Sequence, residues 1–119
     1  MDIKKHITAL GFVPKNGTNG IYHKIYVDYA IEIDFETQSI NYGSAITAES
    51  KTTQNFSQPE NFVVLECVDR LLTKGYKPQN IVLEKTWPSG HGTSGRLDIS
   101  VNREDGTPYM LIECKTYGK

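Results

Sequence analysis

The sequence predicts one mixed domain of the α+β or α/β class, with a mixed β-sheet. Its 119 residues carry a formal charge of −1 and are 38% hydrophobic, which suits a single compact domain with a buried core. Apolar residues recur at helical spacing within residues 58–74, whereas apolar and acidic residues alternate within residues 30–36. The chain therefore combines a long amphipathic helix with strands that have one solvent-exposed face.

Composition excludes several classes of protein. The 13 basic residues are matched by 14 acidic ones, so the chain does not bind nucleic acid through bulk positive charge. No apolar run reaches the roughly 18 residues of a membrane helix, and charges interrupt the N-terminus too early for a signal peptide. Cys67 and Cys114 lie in apolar segments, which predicts buried free thiols. We therefore expect a cytoplasmic protein with no membrane association.

Residues 1–56 are predicted to form a helix and an antiparallel β-meander that pack on the rest of the domain. The helix covers residues 2–10, with Asp2 as its cap and Gly11 as its end. Strands are predicted at residues 21–27, 30–36 and 40–46. The polar residues 47–55 are expected to form a connecting loop.

Residues 57–119 begin with the most regular pattern of the chain. Ser57 and Glu60 have the spacing of a capping box, an apolar helical stripe follows over residues 58–74, and Gly75 ends the helix. Strands are predicted at residues 81–86, 96–102 and 109–115. The glycine-rich residues 88–95 are expected to form a loop. The predicted order of this half is helix, strand, strand, strand.

The last two strands are predicted to form a hairpin. Asp105-Gly106 is a favoured centre for a two-residue turn, and a turn centred there places Asp98 directly opposite Glu113. One face of the hairpin is then apolar and carries Leu97, Ile99, Val101, Met110, Ile112 and Cys114. Asp98 and Glu113 fall together on the other face.

Two directly opposed carboxylates destabilise a sheet unless something compensates their charge. One solution is a ladder of charges, in which Arg96 and Lys115 pair diagonally with Glu113 and Asp98 on a solvated face. The other solution is a divalent cation, because Mg²⁺ takes one or two carboxylates together with waters and substrate phosphates. Residue pattern alone leaves both solutions open.

Glu60 is a third candidate acid. At about 100° per residue it lies near the apolar stripe of the helix, so its side chain is expected to tilt toward the sheet. The alternative is that Glu60 only completes the capping box with Ser57. Both roles are open from the sequence.

The segments GRLDISV and LIECK resemble the Asp and Glu-x-Lys signature of the PD-(D/E)XK nuclease superfamily, with 14 residues between Asp98 and Glu113. The preceding segment PENFVVLECVDRLLTKGY is similar to the start of that fold. The whole arrangement over residues 57–119 resembles the N-terminal nuclease region of type I restriction enzyme motor subunits and of single-chain restriction-modification proteins. The usual Pro-Asp of the motif is Leu97-Asp98 in this chain.

This resemblance implies a Mg²⁺-dependent endonuclease that hydrolyses phosphodiester bonds of double-stranded DNA, with Mn²⁺ able to substitute. Asp98 and Glu113 correspond to the metal ligands, and the carbonyl of Cys114 corresponds to the backbone ligand. Lys115 corresponds to the lysine beside the attacking water, and Glu60 to the acid of the first helix. The alternative is a non-catalytic module of the same fold that binds DNA or a partner within a larger assembly.

The resemblance also implies how the domain is assembled. Residues 57–119 correspond to a restriction-endonuclease-like core that is incomplete at its C-terminal end, because the family fold continues with a further helix and strand. We therefore expect this chain to belong to a larger restriction-modification polypeptide or to associate with its subunits. Pairing of two copies into a homodimer through a sheet edge is a second way to cover the core.

Overall fold

The computed structural model describes residues 2–88 and 94–114. Within these ranges the chain is a mixed α+β fold with two α-helices and two four-stranded sheets, one of which is mixed. The helices are α1 (Ile3–Ala9) and α2 (Glu60–Thr73), and a 3₁₀ turn covers Pro78–Asn80. The strands are β1 (Val13–Pro14), β2 (Ile21–Tyr26), β3 (Tyr29–Asp34), β4 (Ser39–Asn41), β5 (Thr47–Ala48), β6 (Ile81–Pro88), β7 (Ser94–Asn102) and β8 (Pro108–Ile112).

The first sheet is an antiparallel meander in the order β1-β2-β3-β4. The cap of α1 is confirmed, since the side chain of Asp2 accepts the N–H of Lys5 at 3.1 Å. The predicted third strand is too long. Asn41 accepts the N–H of Gly43 with its side chain, and Gly43 adopts a φ of 80°, so the chain turns where the strand was expected to continue.

The second sheet has the order β5-β6-β7-β8. Strand β5 lies parallel to β6, whereas β7 and β8 continue the sheet antiparallel. The prediction of an uninterrupted loop over residues 47–55 is therefore wrong at its start. Such a short strand has no periodic pattern of its own, and it exists because the neighbouring edge of β6 supplies hydrogen-bonding partners.

The hairpin of β7 and β8 has the predicted register next to the site but a different turn. Ile99 pairs with Ile112 and Val101 pairs with Met110, as expected. The turn is one residue longer than predicted, because the N–H of Arg103 bonds to the carbonyl of Thr107 at 2.7 Å. A bulge beside Val101 absorbs this extra residue and restores the predicted register.

Helix α2 begins without the predicted capping box. Pro59 is the N-cap and makes no side-chain cap bond, while the hydroxyl of Ser57 bonds instead to the side chain of Asn55. The interpretation of Glu60 as half of a capping box is therefore wrong. At the other end, Gly75 has a φ of 101° and terminates the helix as predicted.

A single hydrophobic cluster joins the two halves of the chain. It includes residues of α1, the meander, α2 and the second sheet, among them Ile7, Ile31, Ile33, Leu65, Val68, Ile99 and Val101. Ile99 and Val101 are fully buried, as predicted for the apolar face of the hairpin, but Ser100 on the opposite face is equally buried, so burial does not alternate along this part of β7. No helix in the described ranges is both long and apolar enough to span a bilayer.

Candidate functional site

A cleft of about 440 Å³ lies beside the N-terminal turn of α2 and the second sheet. Four carboxylates line it, and they come from four different parts of the fold: Glu60, Glu84, Asp98 and Glu113. The remaining lining residues are Thr52, Thr53, Gln58, Asn61, Val64 and Cys114. The cleft is therefore strongly polar and concentrates negative charge.

Asp98 is half-buried on β7 and is held by the end of the hairpin. Its Oδ2 atom accepts the backbone N–H of Cys114 at 2.7 Å. This bond places the Asp98 carboxylate against the backbone of Cys114, the residue whose carbonyl was expected to be a ligand. Because an N–H donor stabilises a carboxylate without neutralising it, Asp98 stays in place and remains available to a cation.

Glu113 lines the same cleft from the end of β8. The paired residues of β7 and β8 stop at Ile99 and Ile112, so Asp98 and Glu113 are not a ladder pair, although both side chains reach the cleft. Glu113 is exposed. Lys115, the expected catalytic lysine, lies outside the described residues, so the structure brings together Glu60, Asp98, Glu113 and Cys114 of the expected set.

Glu60 reaches the cleft from the first turn of α2 and is half-buried. The free N–H groups at the beginning of a helix create a positive end of the helix dipole, which stabilises a nearby carboxylate. Glu60 and Ser57 do not form a capping box, and the side chain of Glu60 lines the cleft instead.

Glu84 is the acid that sequence reasoning missed. It lies on β6, directly across from Asp98 in the β6–β7 register, and it is only 1% exposed. Its φ of 53° interrupts the ladder at this one position, a conformation that costs about 1–3 kcal/mol for a residue with a side chain. In the sequence, a single acid within the strand pattern IVLEKT was the only available signal.

The Glu84 carboxylate anchors the polar segment 52–55. It accepts the N–H of Thr53 at 2.9 Å and the hydroxyl of Thr52. From the other side, the side-chain amide of Asn61 donates to the carbonyls of Thr52 and Asn55 at 3.0 and 2.8 Å. The segment is therefore held between β6 and α2, where it forms one wall of the cleft.

The donor set of the cleft suits a hard divalent cation. Within residues 2–88 and 94–114, no three side chains of His, Cys, Asp or Glu meet closely enough to hold a metal ion by themselves. Mg²⁺ is usually held by one or two carboxylates, with waters and substrate phosphates completing its shell, so a protein cage of three is not required. Oxygen ligands from Asp98 and Glu113 and the carbonyl of Cys114 fit this mode of binding.

Cys114 lines the cleft, and Cys67 contacts Cys114 from the side of a neighbouring groove. Cys67 is on α2, Cys114 follows β8, and both are free thiols, as predicted; Cys114 is buried and Cys67 is half-buried. The Cys114 thiol donates to the Cys67 sulfur at 3.7 Å. This hydrogen bond lowers the pKa of Cys67 to about 7 and raises the pKa of Cys114 well above its usual range.

Comparison with models of known protein families found no match, and neither did a search of curated proteins. The geometry of the chain defines the class of site: an acidic cleft with oxygen donors, built on a helix and a mixed sheet.

Proposed function

We propose that this chain is a Mg²⁺-dependent DNA endonuclease domain of a restriction-modification system. The observation that carries the proposal is the convergence of Glu60, Asp98 and Glu113, from α2, the middle of β7 and the end of β8, on a single cleft. Acids that are far apart in sequence but share one polar cleft are typical of metal-assisted hydrolysis. The resemblance of GRLDISV and LIECK to the PD-(D/E)XK signature points to the same chemistry.

Each residue has a defined role in this proposal. Asp98 and Glu113 would hold Mg²⁺ together with the carbonyl of Cys114. When bound, Mg²⁺ supplies charge neutralisation at the scissile phosphate and lowers the pKa of a bound water. Lys115 orients the attacking water and offsets negative charge that develops on the phosphate. Glu60 would be the acid that the first helix contributes to the site.

Glu84 acts as a positioning residue. Its carboxylate holds Thr52 and Thr53, which form part of the wall of the cleft. A wall held by buried hydrogen bonds keeps the approach to Asp98 and Glu113 in one shape. Geometry maintained in this way contributes to the rate because small displacements of reacting groups are costly.

The proposed fold is a restriction-endonuclease-like core made of α2 and the second sheet, with α1 and the meander packed on it. The near-neutral charge of the chain supports a division of labour, in which the target sequence is chosen elsewhere in a larger polypeptide or by its subunits. The free thiols support a cytoplasmic location, where cysteines remain reduced.

The test uses supercoiled plasmid DNA with Mg²⁺ and compares wild type with Lys115→Ala, both as this chain and within the longer polypeptide. We expect wild type to nick the plasmid, and we expect Lys115→Ala to lose at least about 100-fold in rate. Lys85→Ala is the matched control, since Lys85 is a half-buried lysine of β6 that does not line the cleft. Equal nicking by wild type and Lys115→Ala would refute the proposed role of this site.

Metal binding is tested independently of cleavage. Mg²⁺ or Mn²⁺ should raise the thermal unfolding midpoint of wild type but not of Glu113→Ala, because a cation that binds only the folded state stabilises it. Equal responses of the two proteins would contradict the metal site. A metal response combined with DNA binding but no cleavage in the longer polypeptide would favour the non-catalytic module instead.

A further inference from the structure

Two thiols meet where the core of the domain joins the cleft. Cys67 lies on the second half of α2 and Cys114 lies just beyond β8, yet their Sγ atoms are 3.7 Å apart. The chain has only these two cysteines. Any disulfide within one molecule must therefore join them.

The Cys67 thiol is reachable from solvent. It is half-buried and lines a groove of about 210 Å³ together with Arg70, Lys74, Tyr76, Met110 and Ile112. Cys114 is only 6% exposed. A small oxidant entering the groove meets Cys67 first, and Cys114 lies behind it within reach of the oxidised sulfur.

We propose that Cys67 and Cys114 form a reversible intramolecular disulfide in response to peroxide, and that this bond switches off the acidic cleft. The formation of the disulfide depends only on the thiol geometry. Its regulatory effect rests on the function proposed above. Disulfides in reducing compartments are usually transient and redox-sensing, which fits this pair.

The reaction balances with hydrogen peroxide as the two-electron oxidant. The Cys67 sulfur attacks one peroxide oxygen, the O–O bond breaks, and a sulfenic acid and one water are formed. The Cys114 sulfur then attacks the Cys67 sulfur, its S–H proton leaves with the departing hydroxide, and the second water is released. Two thiols and one peroxide become one disulfide and two waters.

Closing this bond must disturb the cleft. The sulfurs have to approach from 3.7 Å to about 2.05 Å, which requires movement of α2, of residue 114 or of both. Residue 114 lies beyond the last ladder pair of β8, whereas the Cys67 backbone is held within α2. We therefore expect Cys114 to move most. Its N–H holds Asp98 at 2.7 Å, so its displacement shifts that carboxylate.

The chemical step is tested by mass. The reduced chain is treated with a small excess of hydrogen peroxide, and remaining thiols are then blocked with N-ethylmaleimide under denaturing conditions. We expect a monomer lighter by two hydrogens, without maleimide adducts, whose digest contains one peptide linking Cys67 to Cys114. Unchanged thiols, sulfinic acid at Cys67 or disulfide-linked dimers on a non-reducing gel would each overturn the proposal.

The regulatory effect is tested on the same samples, with Cys67→Ser as the matched control and Cys67→Ala as a second variant. Oxidised wild type should lose Mg²⁺-dependent cleavage by at least about tenfold and recover with dithiothreitol, because small displacements at a site are costly. Treated Cys67→Ser should keep its rate.

A second readout is the Mg²⁺-induced rise in the unfolding midpoint, which should also disappear on oxidation. A disulfide that forms while cleavage and the midpoint response stay unchanged would overturn the switch. If reduced protein never cleaves DNA, the proposed function fails, while the mass measurement still decides whether the thiol pair forms a disulfide.

Discussion

Helix α2 carries two acids with opposite surroundings. Glu60 and Asp69 are nine positions apart, which at about 100° per residue places them on opposite sides of the helix. Asp69 faces the first sheet, where its Oδ1 atom accepts the ammonium of Lys24 at 2.6 Å and the hydroxyl of Tyr26 at 2.7 Å. Glu60 faces a cleft that three further carboxylates share.

The difference separates an acid that stabilises the fold from an acid that we propose to be functional. Asp69 is 6% exposed, and its charge is balanced by a cation that also binds the carbonyl of Leu10. In the cleft, the hydrogen bonds described for Glu84 and Asp98 come from neutral hydroxyl and backbone groups. A cation that balances a buried acid stabilises a fold, whereas acids that line one cleft offer the oxygen ligands that a divalent cation prefers.

The largest expected effect is the loss of DNA cleavage rate in the variant Asp98→Asn. Loss of this charge should lower the Mg²⁺-dependent rate by about 1000-fold, or about 4 kcal/mol in activation free energy, while Asp28→Asn in the exposed turn of the meander leaves it unchanged. Plasmid nicking measured at equal folded fractions checks both variants. Comparable cleavage rates for Asp98→Asn and Asp28→Asn would contradict the proposed functional role of the cleft acids.

Asp69→Ala should have the largest effect on stability. Removing the acid leaves the Lys24 ammonium and the Tyr26 hydroxyl without their shared acceptor, so we expect the free energy of unfolding to fall by about 2–4 kcal/mol. Urea denaturation measures this change. The double variant Lys24→Ala/Asp69→Ala should lose less than the sum of the single variants, and simple additivity would show that the two residues are not coupled.

Two buried tyrosines test how much a hydrogen bond to Asp69 contributes to the stability of the fold. Tyr26→Phe should lose about 1 kcal/mol of stability, since it removes a hydrogen bond to Asp69. Tyr42 is 3% exposed, and its hydroxyl has no hydrogen-bond partner within the described residues, so Tyr42→Phe should be neutral or stabilising by up to about 1 kcal/mol. Urea unfolding of both variants tests the contrast, and an equal loss would contradict it.

The same tyrosines predict a response to alkaline pH. Burial raises the pKa of Tyr42. Burial is also the main cause that raises the pKa of Tyr26, and the hydrogen bond to Asp69 raises it further. The unfolded chain releases these protons near pH 10, before the folded state does, so their contribution to stability is complete below about pH 10 and is lost as the pH rises further. Tyr42→Phe should make the fall in the free energy of unfolding above pH 10 less steep. An unchanged dependence on pH, measured by urea denaturation at several pH values, would contradict the contribution of Tyr42.

The smallest effect is expected at the surface of α2. Glu66 and Arg70 form an ion pair one turn apart, with the Arg70 side chain 69% exposed. Solvent screens such a pair, so Arg70→Ala should change stability by less than about 1 kcal/mol. A loss as large as that of Asp69→Ala would mean that burial does not distinguish the acids of this helix.

Local patterns predicted the elements that frame the site. The helical stripe before Gly75 located α2, and alternation with the Asp105-Gly106 turn set the register beside Asp98. The turn itself was one residue longer than expected. A bulge corrected the register, because the apolar face of β8 has to meet the buried face of β7.

The sequence by itself determined where apolar and polar residues alternate, where the chain turns and which positions carry charge. These properties depend on neighbours within a few positions. Only the tertiary structure decided what shares the cleft. Thr53 meets Glu84 across 31 positions, and Cys67 meets Cys114 across 47. Contacts at such separations arise when the whole core packs, so no short segment encodes the left-handed backbone of Glu84 or the nearness of two thiols.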